Sequence, residues 1–375
     1  MFWLLVLSAW TLLHAYVFWR AASVPAIARR VPARWMALAA LILWASLFLA
    51  RYLGRGGKGS LSAVAEFAAM DWLALLFLTA TALLAVDFAT GFGLFFRGAA
   101  PALRGWALLA GLLLSLFATF QALRPPEVTR YEVTLPNLPA RLDGTVAVAF
   151  SDLHLGSLIG PGWLDARVSQ ILELHPDLIL ILGDVVEGHG RPPADFAGGF
   201  RRLTAPLGVW AVAGNHEAHG PEDRTVQLLR DCGIRVLTDR CEEVGPGLVV
   251  GGLESRHSRR TANERPEALR SVLSACPSGT ATILLVHVPP TPAEAAASGA
   301  GLILAGHTHA GQIWPFGYLV RLAHPVFSGR YLEGRSTVLV TRGTGTWGPR
   351  MRLWSPGEIL RITLRSPRGF RPERP

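Results

Sequence analysis

Charge is scarce in this chain: 17% of its 375 residues are Asp, Glu, Lys or Arg, and Lys58 is the one lysine. Soluble domains average about 25% charged residues, so the deficit points to stretches that avoid water. Cysteine is scarce too, with three in all. That is too few for a disulfide scaffold, and Cys232, Cys241 and Cys276 lack the spacing of a zinc site. Their default reading is as free buried thiols, with a Cys232–Cys241 bridge open if the domain lies outside the cytoplasm. Disorder is excluded by the 50% hydrophobic content, and collagen by glycines without a period. Nor does the net charge of +9 indicate a nucleic-acid partner, because residues 1–125 carry +7 and residues 126–375 only +2. The basic excess flanks apolar runs, where lipid headgroups and insertion rules account for it.

Long apolar runs are what the chain has in quantity. Four fill its first third: Phe2–Trp19, Trp35–Leu53, Trp72–Phe96 and Leu103–Leu123. Each reaches roughly the 18 residues that span a bilayer core. Trp19-Arg20, Trp35, Arg51-Tyr52, Trp72, Arg97, Arg104 and Arg124 stand at their ends, as interfacial anchors do. A soluble four-helix bundle would show a polar face, and none is present. A cleaved leader is disfavoured, since no basic residue precedes the first run and no small-x-small site closes it. Arg20, Arg29, Arg30 and Arg34 make the first loop the most basic, which places it inside and residues 126–375 on the extracytoplasmic side. Asp87 is the one carboxylate within the spanning part of these runs and reads as a functional group, an interfacial residue or a helix-pairing residue. His14 and Gln121 read as packing or interfacial residues. The stretch from Gly54 to Ser60 lacks Ser or Thr directly after Lys58, so it is no phosphate loop.

Pro125-Pro126 ends the last helical run and a different pattern begins. Thr145–Phe150, Leu178–Leu182, Val209–Ala213, Leu248–Gly252, Thr282–Val286 and Leu302–Ala305 read as strands. Trp163–Leu174, Asp223–Leu229 and Pro266–Leu273 read as helices. The organisation expected is a membrane domain over 1–124, a linker and first strand over 125–144, an α/β catalytic domain over 145–364, and a basic Pro-rich tail over 365–375. Five polar clusters follow the strand-like runs: Asp152-Leu153-His154, Gly183-Asp184, Gly214-Asn215-His216-Glu217, His287, and Gly306-His307-Thr308-His309. Open α/β sheets bind ligands at strand C-terminal ends. Carboxylate, imidazole and amide donors without thiolate suit divalent Mn, Fe or Zn. On extended backbone, D-x-H and H-x-H put both donors on one face. The glycines at 183, 214 and 306 are expected to let the backbone turn and approach the ions.

These blocks resemble the calcineurin-like metallophosphoesterase family, with its order D-x-H, G-D, G-N-H-[DE], H and G-H-x-H. The resemblance extends over residues 145 to about 364. It includes His309-Ala310-Gly311-Gln312 and Arg342-Gly343-Thr344-Gly345-Thr346, which are similar to a bacterial exported or membrane-anchored branch. Glu187 stands where many members have Asp, and Ala310 where this branch often has Gly. The resemblance implies a two-sheet αββα sandwich behind the N-terminal transmembrane helices, and two metal ions. Asp152, His154 and His309 would hold the first ion, Asn215, His287 and His307 the second, and Asp184 would bridge them. A metal-bridging hydroxide would be the nucleophile. His216 would protonate the leaving oxygen, oriented by a carboxylate for which the resemblance suggests Asp152.

Other polar residues carry weaker signals. His175 reads as a helix-end residue and Arg256, Arg259 and Arg260 around His257 as a solvated loop. His189, His219 and Arg342 are lesser candidates for substrate contact. The function expected is a membrane-anchored metallophosphoesterase, a hydrolase of phosphomonoester, phosphodiester or pyrophosphate bonds. Its partners would be the lipid bilayer and a phosphate ester that a lipid can carry. The alternatives are a metal-binding scaffold without catalysis and a membrane sensor or transporter, for which Asp87 alone speaks and no broken-helix pair does.

Overall fold

Apolar, Ala- and Leu-rich sequence makes helices of the first third. They are α1 (Phe2–Ala22), the short α2 (Pro25–Ala28), α3 (Ala33–Gly56), α4 (Ser60–Ala89) and α5 (Ala100–Leu123). The computed structural model describes residues 2–56, 60–187, 191–217, 224–253 and 264–367. Two compact units emerge, one of Met1–Arg124 with Gly348–Leu353, the other of Pro125–Trp347 with Trp354–Pro375. Among the described residues three helices are long and apolar enough to cross a membrane, over Ala33–Leu53, Leu61–Ala89 and Ala100–Leu123. Four runs were expected; Phe2–Ala22 is helical as well, over 21 residues.

The third run is displaced from its expected place at Trp72–Phe96. Its helix starts at Ser60 and stops at Ala89, where Thr90 accepts the Gly93 N–H and Gly91, Phe92 and Gly93 take left-handed backbone. Against α4, helix α5 presents a face of mostly small residues: Ala100, Arg104, Ala107, Gly111, Ser115 and Ala118 recur at three- and four-residue steps and are buried. A Cβ on Gly111 would fall 2.6 Å from the Thr79 Cα, so the two backbones touch there. Arg20 and Arg104, expected at the interface as anchors, are buried instead. The Asp87 carboxylate receives Arg20 Nε at 2.6 Å, Arg104 Nε at 3.1 Å and the Tyr16 hydroxyl at 2.7 Å, so α1, α4 and α5 meet on one charge. Asp87 is thus a helix-pairing residue. His14 is a packing residue, bonded to the Trp10 carbonyl at 2.9 Å and accepting the Trp72 indole N–H at 2.9 Å.

In the second unit the described strands are, in chain order, β1 (Glu127–Thr134), β2 (Val146–Phe150), β3 (Leu178–Ile181), β4 (Val209–Ala211), β5 (Arg235–Val236), β6 (Arg240–Gly245), β7 (Leu248–Gly252), β8 (Ala281–Leu285), β9 (Leu302–Ala305), β10 (Gly329–Glu333), β11 (Ser336–Val340) and β12 (Glu358–Arg365). They form two mixed six-stranded sheets, ordered β1-β12-β2-β3-β4-β5 and β10-β11-β9-β8-β7-β6. The six strands expected from sequence are β2, β3, β4, β7, β8 and β9, the parallel heart of both sheets. Fully buried strands read as continuous apolar runs, which made them conspicuous. Alternation along each strand builds four layers. Ala147, Ala149, Leu178 and Leu180 face Leu248, Val250, Ile283 and Leu304 between the sheets. Val148, Phe150, Ile179 and Ile181 face Leu164, Val168 and Ile171 of the helix Pro161–Leu172. Leu284, Ile303 and Val338 pack beneath Leu269 and Val272 of the helix Glu264–Ser274. The result is the αββα sandwich.

The cysteines depart from expectation. Cys241 on β6 pairs with Cys276, with their Cα atoms 5.3 Å apart, and Cys232 is free. The helix ending at Ser274 returns the chain to β6, a juxtaposition that the sequence spacing does not reveal.

Candidate metal centre

The parallel strands β2, β3, β4, β8 and β9 end together, and each C-terminal end delivers one polar cluster. The seven residues expected as ligands lie in one place. Asp152, His154 and His309 form one donor group, with the His309 Nε2 3.4 Å from Asp152 Oδ1 and 3.1 Å from His154 Nε2. Asp184, His287 and His307 form another. Asn215 joins the second group through its Oδ1, 3.0 Å from His287 Nε2. Asp184 belongs to both neighbourhoods, since its Oδ2 is 3.1 Å from His287 Nε2 and 3.9 Å from His154 Nε2. His216 faces the same oxygen at 3.9 Å.

Backbone, more than side chain, sets this geometry. Asp152, His154, Asp184, His307 and His309 all have φ between 47° and 71°, in the left-handed region that side chains with a Cβ avoid. The glycines act differently from expectation. Gly183 does turn through a positive φ of 91°, but Gly214 and Gly306 are small because one strand-end loop lies against another. A Cβ on Gly214 would sit 2.3 Å from the Asp184 amide nitrogen, and one on Gly306 2.6 Å from Asp152 Oδ2. Gly345 serves the same purpose. Its amide donates to the Asp152 carbonyl at 2.9 Å and Thr344 donates to the Ser151 carbonyl at 2.8 Å. A Cβ there would meet the Leu153 carbonyl oxygen. Gly345→Ala is therefore expected to cost about 1–3 kcal/mol and to displace the Asp152–His154 segment, read by thermal unfolding together with metal content.

Two glutamates carry roles that sequence reasoning did not assign. Glu217 is buried and accepts the amides of Gly214 at 2.7 Å, Asp184 at 2.9 Å, Val185 at 2.7 Å and Val186 at 3.2 Å, so one carboxylate staples the second and third clusters together. Glu187 reaches His216 Nδ1 at 3.2 Å with one oxygen and His154 Nδ1 at 2.5 Å with the other. Glu187, and not Asp152, is therefore the carboxylate that orients His216. The Asp152 carboxylate is taken up by the His307 amide, at 3.2 Å, and by the Ser151 hydroxyl. Backbone pairing of Glu187 with Leu155 brings it beside the D-x-H loop. Its spacing three residues after Asp184 was the available signal. Sequence reasoning also missed His324, whose ring lies 5.3 Å from that of His307, and Trp347, whose ring is 6.2 Å from His216.

The remaining candidates lie elsewhere. Arg342 pairs with Glu127 and Glu358, each at 3.1 Å. His175 sits just past a helix end, its amide donating to the Leu172 carbonyl at 3.0 Å. His189, His219, Arg256, His257, Arg259, Arg260 and Lys58 lie outside the described residues.

The electrostatics fit the donor set to cations. Burial lowers the basicity of His287, but the Asp184 charge and hydrogen bond and the Asp152 charge overcome it and lift the ring to about 10. The same carboxylates would draw a cation to this place. His307, buried and beside His287, falls to about 3 and keeps its lone pair free. Burial likewise depresses His216, but Glu187 and Asp184 raise it to about 9. Because folding favours its charged form, His216 contributes stability that is whole below the ordinary value near 6.5 and fades as pH rises through about 9. In Glu187→Gln, with the site free of metal, the His216 titration is expected to fall clearly below 9. Ring NMR of labelled histidine reads this, and an unchanged midpoint would remove Glu187 from the role.

The model for the calcineurin-like phosphoesterase family matches residues 146–311. A zebrafish (Danio rerio) transmembrane protein with a metallophosphoesterase domain is 31% identical over 270 residues, covering 69% of this chain and 62% of the relative. An uncharacterized metallophosphoesterase of Campylobacter jejuni is 30% identical over 263 residues, 68% of this chain and 69% of the relative. Another, from Aquifex aeolicus, is 31% identical over 244 residues, 64% of this chain and 91% of the relative. The match thus spans under two thirds of the zebrafish protein but nearly all of the Aquifex one. With five motif blocks in order on the strand ends of an αββα sandwich, this chain belongs to the calcineurin-like metallophosphoesterases.

Proposed function

We propose that the chain is a membrane-anchored phosphohydrolase using two divalent ions of the Mn, Fe or Zn type. One observation supports it most: two donor groups converge on Asp184, with His216 held beside them by Glu187. Asp152, His154 and His309 would hold one ion and Asn215, His287 and His307 the other, with Asp184 shared. Bound there, the ions would draw charge from the phosphoryl oxygens and acidify a water. The chain supplies the rest. His216, kept protonated by Glu187, delivers a proton to the leaving oxygen of a phosphomonoester, phosphodiester or pyrophosphate. Glu217 fixes the loop bearing Asn215 and His216 to the loop bearing Asp184, so acid and ligands keep one geometry.

The apolar helices favour an anchored enzyme, and the Cys241–Cys276 pairing favours an extracytoplasmic catalytic unit. A non-catalytic scaffold is disfavoured because ligands, acid and orienting carboxylate are all present. The test uses the full chain in detergent, stripped of metal and titrated with Mn, Fe or Zn, against a chromogenic phosphomonoester and phosphodiester beside His216→Ala. Metal-dependent turnover that falls in the variant while metal stays bound supports the reading. Metal binding without turnover of either ester would favour the scaffold.

A further inference from the structure

The G-H-T-H cluster leads directly into an apolar rim that the phosphoesterase chemistry does not use. Trp314, Phe316, Tyr318, Leu319 and Leu322 follow His309 within thirteen residues and all are exposed, Tyr318 at 65% and Leu322 at 82%. The helix Gly317–Ala323 at its centre buries none of its residues. Trp354, 58% exposed, packs its ring 5.0 Å from Trp314. Side chains of this size normally seek the interior, and a cluster on the surface marks a contact.

The rim is tied to the metal centre at both ends. On one side Gln312 donates to the Trp347 carbonyl at 3.0 Å and accepts its amide at 2.9 Å, and the Trp347 ring lies against His216. On the other, His324 closes the exposed helix and sets its ring beside His307. An occupant of the rim would therefore lie at the mouth of the site.

Three observations identify that occupant as lipid. Trp and Tyr mixed with Leu and Phe is the composition of membrane interfaces. Neither Ala295–Leu332 nor Gly334–Trp347 contains an Asp or Glu, while Arg321, Arg330 and Arg335 lie within them, a charge balance that suits anionic headgroups. Among the described residues three helices are long and apolar enough to cross a membrane, and only Arg124-Pro125-Pro126 separates the last of them from β1, so a bilayer that holds those helices is tethered to this unit by a short link. We propose that the rim beds into the headgroup–acyl boundary of the bilayer and presents the metal centre to phosphate esters carried by lipids. The substrate class rests on the phosphohydrolase reading; the lipid contact does not.

The test keeps the two apart. In the full chain on a Cys232→Ser background, Leu322→Cys bearing an environment-sensitive fluorophore is placed in phosphatidylcholine nanodiscs containing phosphatidic acid. Blue-shifted emission, quenched by lipids spin-labelled near the headgroup, is expected at Leu322 and not at exposed Arg202→Cys. Emission like that of the Arg202 site would overturn the proposal whether or not the protein hydrolyses anything. For substrate class, Leu319→Glu with Leu322→Glu is expected to raise KM for phosphatidic acid in the discs about tenfold or more. Its kcat and KM for soluble p-nitrophenyl phosphate should not move. Equal loss on both substrates, or on neither, would overturn the assignment to lipid-borne esters. Absence of turnover in the unmodified chain would instead fail the phosphohydrolase reading, with the fluorescence still deciding the rim.

Discussion

Asp184→Asn is expected to lower kcat about 10³-fold and to strip metal from both donor groups together. The magnitude is that of losing a buried charge that stabilises the reacting centre. Asn preserves what holds the loop. Asp184 Oδ1 accepts the His216 amide at 2.9 Å, and an amide oxygen can accept it equally. What disappears is the negative charge shared between His287 and the His154 side. Burial raises the Asp184 carboxyl, but His287 and then His154 and His216 hold it well below the usual carboxylate range, so it stays ionised. With two ions held as proposed, a neutral residue there would leave them without an anion to offset their repulsion. Elemental analysis beside steady-state kinetics on a soluble ester reads the outcome. His309→Ala, which touches one donor group only, is the comparison. If Asp184→Asn retained the metal content of the parent, the sharing of Asp184 would be wrong.

The second large effect lies far from the chemistry. Asp87→Ala is expected to destabilise the helical unit by about 3–5 kcal/mol, the usual cost of leaving buried charge without its partner. Asp87 is fully buried, and its removal strands Arg20 and Arg104 together. Arg104 would retain the Phe92 carbonyl at 3.2 Å and the Ser23 hydroxyl at 3.3 Å, while Arg20 would retain the ring of Trp19, 3.8 Å from its guanidinium carbon. None of these three contacts neutralises a charge. Tyr16→Phe removes one hydrogen bond to the same carboxylate and should cost only about 0.5–1.5 kcal/mol. Equilibrium unfolding in detergent separates the two, and similar values for both variants would show that Asp87 is not the hub of this cluster.

The chemistry was more legible in the sequence than the architecture that holds it. Ligand types are readable because D-x-H or G-H-T-H leaves few alternatives for such donors at a strand end. The parallel strands were readable because burial on both faces demands unbroken apolar runs, as in Leu178-Ile179-Leu180-Ile181. The edge strands were not. Arg240–Gly245 and Gly329–Glu333 are half-exposed and mixed in polarity, and their pairing depends on a neighbour. Long-range partnerships were hidden for the same reason. The spacing of Glu187 after Asp184 does not name His216 as its partner, and nothing local tells that Asp87 gathers two arginines. Arg20 and Arg104 illustrate the trap, because an arginine at the end of an apolar run looks like an anchor until a carboxylate from another helix is placed beside it.

The left-handed backbone at Asp152, His154, Asp184, His307 and His309 also bears on how the protein fares in a cell. Each such residue costs about 1–2 kcal/mol that the surrounding sandwich must offset. A protein built this way is less secure empty than loaded, because any ion that binds only the folded form adds stability by mass action. With metal bound as proposed, its abundance is expected to follow metal supply, the empty chains opening more often under starvation and being cleared by proteolysis first. The same backbone that brings these side chains together would then make the lifetime of the molecule a gauge of its ion.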